Sequence, residues 1–171
     1  SYPAVRRHAV RLCEGRPNLS PRNVNSLTSL TKATDPQVRL QLAYTLGELD
    51  QPQTAVALAE LLLSHGDDRS LRAAVISSLN ENNIERVALT VLSSPNTKQA
   101  AAFTNDLMQM AAAFGKQATM VGLLHKATAS GDGQYEAWQL AAVALCSSPT
   151  IVACLPNAAA ICIRSLVKAA A

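Results

Sequence analysis

The 171 residues carry a formal charge of +3, with 49 % hydrophobic, 16 % charged and 4 % aromatic side chains. That hydrophobic share excludes a disordered chain, the length suits one domain, and so small and dispersed a surplus of Lys and Arg argues against a basic nucleic-acid stripe. Gly is scarce at 7 and Val/Ile/Thr clusters are few, so an all-α chain is expected. There is no charged-then-apolar leader, and Pro156, Asn157 and Arg164 interrupt the most apolar stretch, Ile151 to Val167, so no direct membrane insertion is expected. The sequence opens without Met and partway into a repeat, which reads as a fragment of a longer protein.

In chain order, PAVRRHAVRLC from Pro3, DPQVRLQLAYTL from Asp35 and DRSLRAAVISSL from Asp68 superpose at a spacing of 33 residues. At that offset Val5, Val38 and Leu71 fall together, as do Ala9, Leu42 and Val75, and Cys13, Leu46 and Leu79. A fixed period with helical spacing inside it is the mark of stacked helical hairpins. First helices are expected at 3–14, 36–48 and 69–80, and second helices at 21–33, 52–64 and 83–93. Ser20-Pro21, Asp35-Pro36 and Gln51-Pro52 mark starts, because a polar side chain caps the orphan N–H groups and proline suits the first helical position. Val24, Leu27 and Leu30, then Ala55, Leu58 and Leu62, then Ile84, Val87 and Val91 give each second helix one apolar face.

Beyond Ser94-Pro95-Asn96 the register is lost while helical spacing continues. Helices are expected at 98–115, with Phe103, Leu107, Met110, Ala111 and Phe114 inward and Gly115 as the stop, and at 117–129, with Met120, Val121, Leu124 and Ala127 inward. After the Ser130–Gly133 loop come Tyr135–Cys146 and Asn157–Ala169, joined by a short turn at Ile151–Leu155. The total is about five hairpins within one domain, 1–171: three regular repeats over 1–93 and divergent hairpins over 94–171.

Chemistry-bearing motifs are sparse. Cys13, Cys146, Cys154 and Cys162 form no C-x-x-C pair; Cys13 takes the place of a core leucine, and a disulfide among the other three is left open. His8, His65 and His125 have no metal-ligand spacing, the Gly-rich loop lacks the Lys-Ser/Thr of a phosphate loop, and Trp138 reads as core. No nucleophile–base pattern is present, so no catalytic, cofactor or metal residue is assigned. Arg6, Arg39 and Arg72 make the most regular polar series. They read as an internal ladder bonding carboxylates, with Asp35, Asp50 and Asp68 the nearest candidates, or helix-end carbonyls of neighbouring repeats.

The run VRLQLAYTLGELDQPQTAVALAELL resembles HEAT repeats of the short, phycobilin-lyase-like variety. Their Asp-Pro start, Val-Arg and Ala-Leu-Gly-x-Leu close correspond here to Asp35, Pro36, Val38, Arg39, Thr45, Leu46, Gly47 and Leu49, with Thr45 departing from the pattern. The first repeat lacks the leading Asp and the close, and the third has Ser78-Leu79-Asn80 where Gly belongs. LRAAVISSL after a repeat ending GELD is similar to the HEAT segment of large planctomycete and verrucomicrobial proteins that join a membrane-bound dehydrogenase-like propeller to a c-type cytochrome module. The haem motif of that family lies outside this chain, so no cofactor is implied for these residues; the parent would be periplasmic or membrane-associated.

The resemblance implies a right-handed α-α superhelix, an α-solenoid, whose second helices line the concave side. The polar residues opposite their apolar stripes are then the candidate partner face: Arg22, Ser26, Ser29, Glu60, Ser64, Arg86 and Thr90. They are small and of mixed sign, so no steering patch stands out. The expectation is a non-catalytic module for protein–protein or interdomain contacts in a larger protein, with no nucleic acid as partner. Two competing readings are a HEAT-like DNA glycosylase, which needs a basic aromatic groove, and a tetrapyrrole-lyase-type module, which needs a ligand pocket.

Overall fold

The computed structural model describes residues 2–16, 18–94 and 97–128, and among them all regular structure is helical. The chain divides into two compact units, Ser1–Val91 and Leu92–Ala171.

In the first unit the helices are α1 (Pro3–Arg11), α2 (Pro21–Thr28), α3 (Pro36–Gly47), α4 (Pro52–His65), α5 (Arg69–Ser77) and α6 (Ile84–Leu92), the last ending one residue past the unit boundary. Their starts follow the expected chemistry. Ser20 Oγ accepts from Asn23 N at 3.3 Å, Asp35 Oδ1 from Val38 N at 3.0 Å, and Asp68 Oδ1 from Ser70 N and Leu71 N at 2.9 and 3.2 Å. Gln51 precedes Pro52 without a side-chain cap; instead the Thr54 hydroxyl lies 2.7 Å from the Gln51 carbonyl and 2.8 Å from that of Leu49. Helix α6 has no proline at its start. There Asn80 Oδ1 accepts from Asn82 N and Asn83 N, and Asn83 Oδ1 accepts from Asn80 N, so side-chain amides shape the turn.

Several helices end earlier than their apolar spacing suggests. Helix α1 stops at Arg11, ahead of Gly15, whose φ of +67° suits glycine. Helix α5 stops at Ser77, where the asparagine turn takes over. Helix α2 tightens after Thr28 into a 3-10 turn, Ser29–Lys32. Each hydroxyl there points back along the helix: Thr28 donates to the Asn25 carbonyl, Ser29 to that of Ser26, and Thr31 to that of Thr28. Such back-bonding competes with the regular α ladder.

Helix α1 packs on α3 and α3 on α5, while α2 packs on α4 and α4 against α3 and α5. First and second helices therefore form two layers with the aliphatic core between them. Leu42, Leu46, Leu58, Leu61 and Leu62 are all fully buried, each contributing about 1.5–3 kcal/mol of transfer free energy. Two layers of helices sharing a core from one hairpin to the next are an α-solenoid arrangement.

The second unit contains α7 (Thr97–Ala113) and α8 (Gln117–Thr128), packed on each other. Phe103, Leu107, Ala111, Met120 and Leu124 are buried as their spacing suggests, and Gly115, at φ +64°, ends the turn after α7. Met108 and Leu123 are fully buried too, whereas Met110, Phe114 and Val121 are only half-buried, so the buried faces do not coincide with the expected stripes. The hairpin at Tyr135–Cys146 and Asn157–Ala169, the Ser130–Gly133 loop, Trp138, and Cys146, Cys154 and Cys162 lie outside the described residues.

Candidate functional site

Between α2 with its 3-10 turn and α4 lies an open groove of about 530 Å³, lined by Asn25, Thr28, Ser29, Thr31, Lys32, Gln53, Val56, Ala57 and Glu60. Two small apolar side chains, Val56 and Ala57, sit among hydroxyls, amides, one cation and one carboxylate. The Thr31 hydroxyl, buried, stands 3.3 Å from Glu60 Oε2 and so joins the two helices across the groove. Because the hydroxyls of Thr28 and Ser29 already donate to the backbone, their oxygens face a ligand chiefly as acceptors. An extended peptide, with a donor and an acceptor at every residue, matches such a lining better than an apolar small molecule does.

Of the seven candidate face residues, Ser29 and Glu60 line this groove. Arg22, Ser26 and Ser64 are exposed on the same two helices, and the Ser26 hydroxyl donates to the Arg22 carbonyl at 3.0 Å. Arg86 is exposed on α6 and Thr90 half-buried, its hydroxyl bonded to the Arg86 carbonyl at 2.8 Å. Asn25, Thr28, Lys32 and Gln53 also line the groove but escape the sequence reading. Lys32 lies in the 3-10 turn past the end of α2, and Gln53 reaches the groove through the packing of α2 on α4, neither of which helical spacing alone reveals.

The three arginines occupy unequal settings. Arg39 is half-buried and its Nη1 donates to the carbonyls of Ala33 and Thr34, at 2.6 and 2.9 Å, where the 3-10 turn ends. Arg72 is half-buried and Arg6 exposed. Asp35 and Asp68 serve as helix caps, and Asp50 Oδ2 accepts from Asn82 Nδ2 at 3.3 Å. Further joints between repeats lie at the turns. Gly15 N donates to Glu48 Oε2 at 3.1 Å and Asn80 Nδ2 to the Gly47 carbonyl at 3.0 Å, each across one period of 33 residues. Glu14 Oε1 also receives the Gln41 amide and the Thr45 hydroxyl. Glu14, Gly47 and Asn80 stand one period apart in the sequence, which is the signal that could have found these joints.

Gly47 marks the tightest of them. A Cβ at Gly47 would lie 2.6 Å from Ser78 Cβ and 2.8 Å from the Ser78 carbonyl oxygen, so glycine lets α3 and α5 approach. Cys13 is half-buried and free, its Sγ 3.6 Å from the Ala9 carbonyl. Among the described residues no group of three or more His, Cys, Asp or Glu could hold a metal ion, and no helix is long and apolar enough to cross a membrane.

No curated protein and no solved structure matches the chain. Residues 1–80 match the model of the HEAT repeats family, the stretch in which α1, α3 and α5 stack in register, so this part of the chain is similar to HEAT repeats, which commonly mediate protein contacts.

Proposed function

We propose that residues 1–171 act as one non-catalytic repeat module, mediating protein–protein or interdomain contacts within a larger multidomain protein. The carrying observation is the open groove between α2 and α4, where Val56 and Ala57 sit among hydroxyls, amides, one cation and one carboxylate. Ser29 and Glu60 line it, and with Arg22, Ser26, Ser64, Arg86 and Thr90 they make up the proposed partner face. Arg6, Arg39 and Arg72 brace the repeats, with the Arg39 bonds to Ala33 and Thr34 as the supporting geometry. The likeness of LRAAVISSL to dehydrogenase–cytochrome proteins makes a periplasmic or membrane-associated parent the favoured setting.

Photo-crosslinkers placed at Ser29 and Glu60 in the parent protein test this. Crosslinks from both positions to one protein segment are expected. Crosslinks arising equally from exposed positions of the first helices, and none from Ser29 or Glu60, would overturn the assignment of the face.

A further inference from the structure

Residues one period apart occupy the same place on each first helix. On α3 the stripe of Val38, Leu42 and Thr45 is buried and faces the first repeat, since Thr45 meets Glu14. Its counterpart on α1 is Val5, Ala9 and Leu12, with Val5 60 % and Leu12 70 % exposed. A second stripe behaves differently. Arg7, His8 and Arg11 on α1 correspond to Leu40, Gln41 and Tyr44 on α3, and to Ala73, Ala74 and Ser77 on α5. Tyr44 and Ser77 are exposed even though another first helix packs ahead of each. A hairpin set ahead of α1 in the same register would therefore cover the stripe of Val5 and Leu12 and leave that of Arg7 and Arg11 open.

This second stripe forms part of a cleft of about 170 Å³ between α1 and α3. Arg7, His8 and Arg11 line one wall, while Gln37, Gln41 and Tyr44 bring amides and a phenol to the other. The period does not demand cations here, because the following repeats hold Leu40 and Ala73, Gln41 and Ala74, Tyr44 and Ser77 in the same places. Arg7 and Arg11, four residues apart on a helix, repel each other. No acidic residue lines the cleft, and among the described residues no carboxylate pairs with Arg7, His8 or Arg11. Glu14, which accepts from the lining residue Gln41, also accepts from Thr45. Two guanidinium groups and an imidazole thus converge on a concave surface that supplies no counter-charge.

We propose that this cleft binds a phosphate monoester, the group that a phosphorylated serine or threonine presents. A monoester carries close to two negative charges at neutral pH and three acceptor oxygens. That matches guanidinium forks on one wall, each able to hold two oxygens, and further N–H and O–H donors on the other. A phosphodiester offers one charge and fewer free oxygens. Nucleic acids and membrane surfaces are met by cations spread along a face, whereas these are confined to one joint between repeats. The cleft is formed by first helices, so it stands whether or not the α2–α4 groove binds a partner.

The probes are a capped Ala-phosphoserine-Ala peptide, the same peptide unphosphorylated, and inorganic phosphate, each titrated against the full chain while the arginine side-chain NMR signals are followed. Saturable shifts at Arg7 and Arg11 are expected with the phosphopeptide, at an affinity about tenfold or more above that of the unphosphorylated peptide. Binding should weaken as salt rises. The Arg7→Gln/Arg11→Gln variant should lose about tenfold or more, whereas Arg16→Gln/Arg69→Gln, equal in charge but outside the cleft, should stay within about twofold. All four arginines are exposed, so both variants should melt like the parent. Inorganic phosphate binding as tightly as the phosphopeptide would support the site and make a free phosphate compound its ligand; tighter phosphopeptide binding would make it a protein phosphosite. Equal affinity for the two peptides, no saturable shift with any phosphate probe, or equal loss in the two variants would overturn the proposal. Retention on phosphatidylserine vesicles, lost only in the Arg7→Gln/Arg11→Gln variant, would overturn it too, assigning the cations to a membrane surface.

Discussion

First helices and second helices of the same repeats follow different rules. Helices α1, α3 and α5 stack in register, joined at their turns by Gly15–Glu48 and Gly47–Asn80 bonds one period long. The second helices share an apolar face but little else: α2 spans 8 residues before a 3-10 turn, α4 spans 14, and α6 spans 9 behind an asparagine turn. The comparison separates what builds the stack from what individualises its surface. In a repeat protein each hairpin is stabilised by its neighbours, so the positions that touch neighbours are held to the period. Positions facing the groove are free of that constraint, and there Thr28, Ser29 and Lys32 depart from any repeat.

The sharpest way to break the comparison is in the first-helix layer. Leu42→Ala empties a fully buried site between repeats and is expected to cost about 2–5 kcal/mol in chemical denaturation. Val5→Ala, at a neighbouring position of the same stripe but on the open helix α1, should stay within about 0.5 kcal/mol. Gly47→Ala drives a methyl into Ser78 and should cost about 1–3 kcal/mol despite the better helix propensity of alanine. Adding Ser78→Gly should restore much of that loss, which a double-mutant cycle would read directly.

Smaller effects are expected at the caps. Asp68→Ala removes an acceptor from Ser70 N and Leu71 N and should lower stability by about 1 kcal/mol. At the groove, Ser29→Ala should shift the unfolding midpoint least, by no more than about 0.5 kcal/mol. Any effect it has should appear in partner binding, because Ser29 is exposed and its hydroxyl bond is local.

Helix starts were legible where they rest on local chemistry: Ser20-Pro21 and Asp35-Pro36 announce themselves within a few residues, whereas the cap at Asp68 reads in the sequence only as a carboxylate near the arginines. Helix ends were less so, since the hydroxyls of Thr28, Ser29 and Thr31 tighten α2 through bonds that helical spacing does not encode. The repeat registered Arg39 as a joint, and its Nη1 reaches the Ala33 and Thr34 carbonyls; the joints through Glu14, Glu48 and Asn80 are between side chains and turns far apart in the chain. Exposure of Val5 and Leu12 was equally hidden, because a repeat pattern gives a residue its place and neighbours decide its burial. Of the groove's lining residues, helical spacing singles out Ser29 and Glu60 as candidates, whereas Lys32 and Gln53 come together through the packing of α2 on α4.

The most direct test of the stacking register is to add a repeat. Joining a copy of residues 35–66 directly to Ser1 places a second Val38 one period of 33 residues ahead of Val5. If the register carries the stack, the new hairpin covers Val5, Ala9 and Leu12, and both the denaturation midpoint and the m value rise in one cooperative transition. An unchanged midpoint, or a separate early transition for the added hairpin, would contradict it.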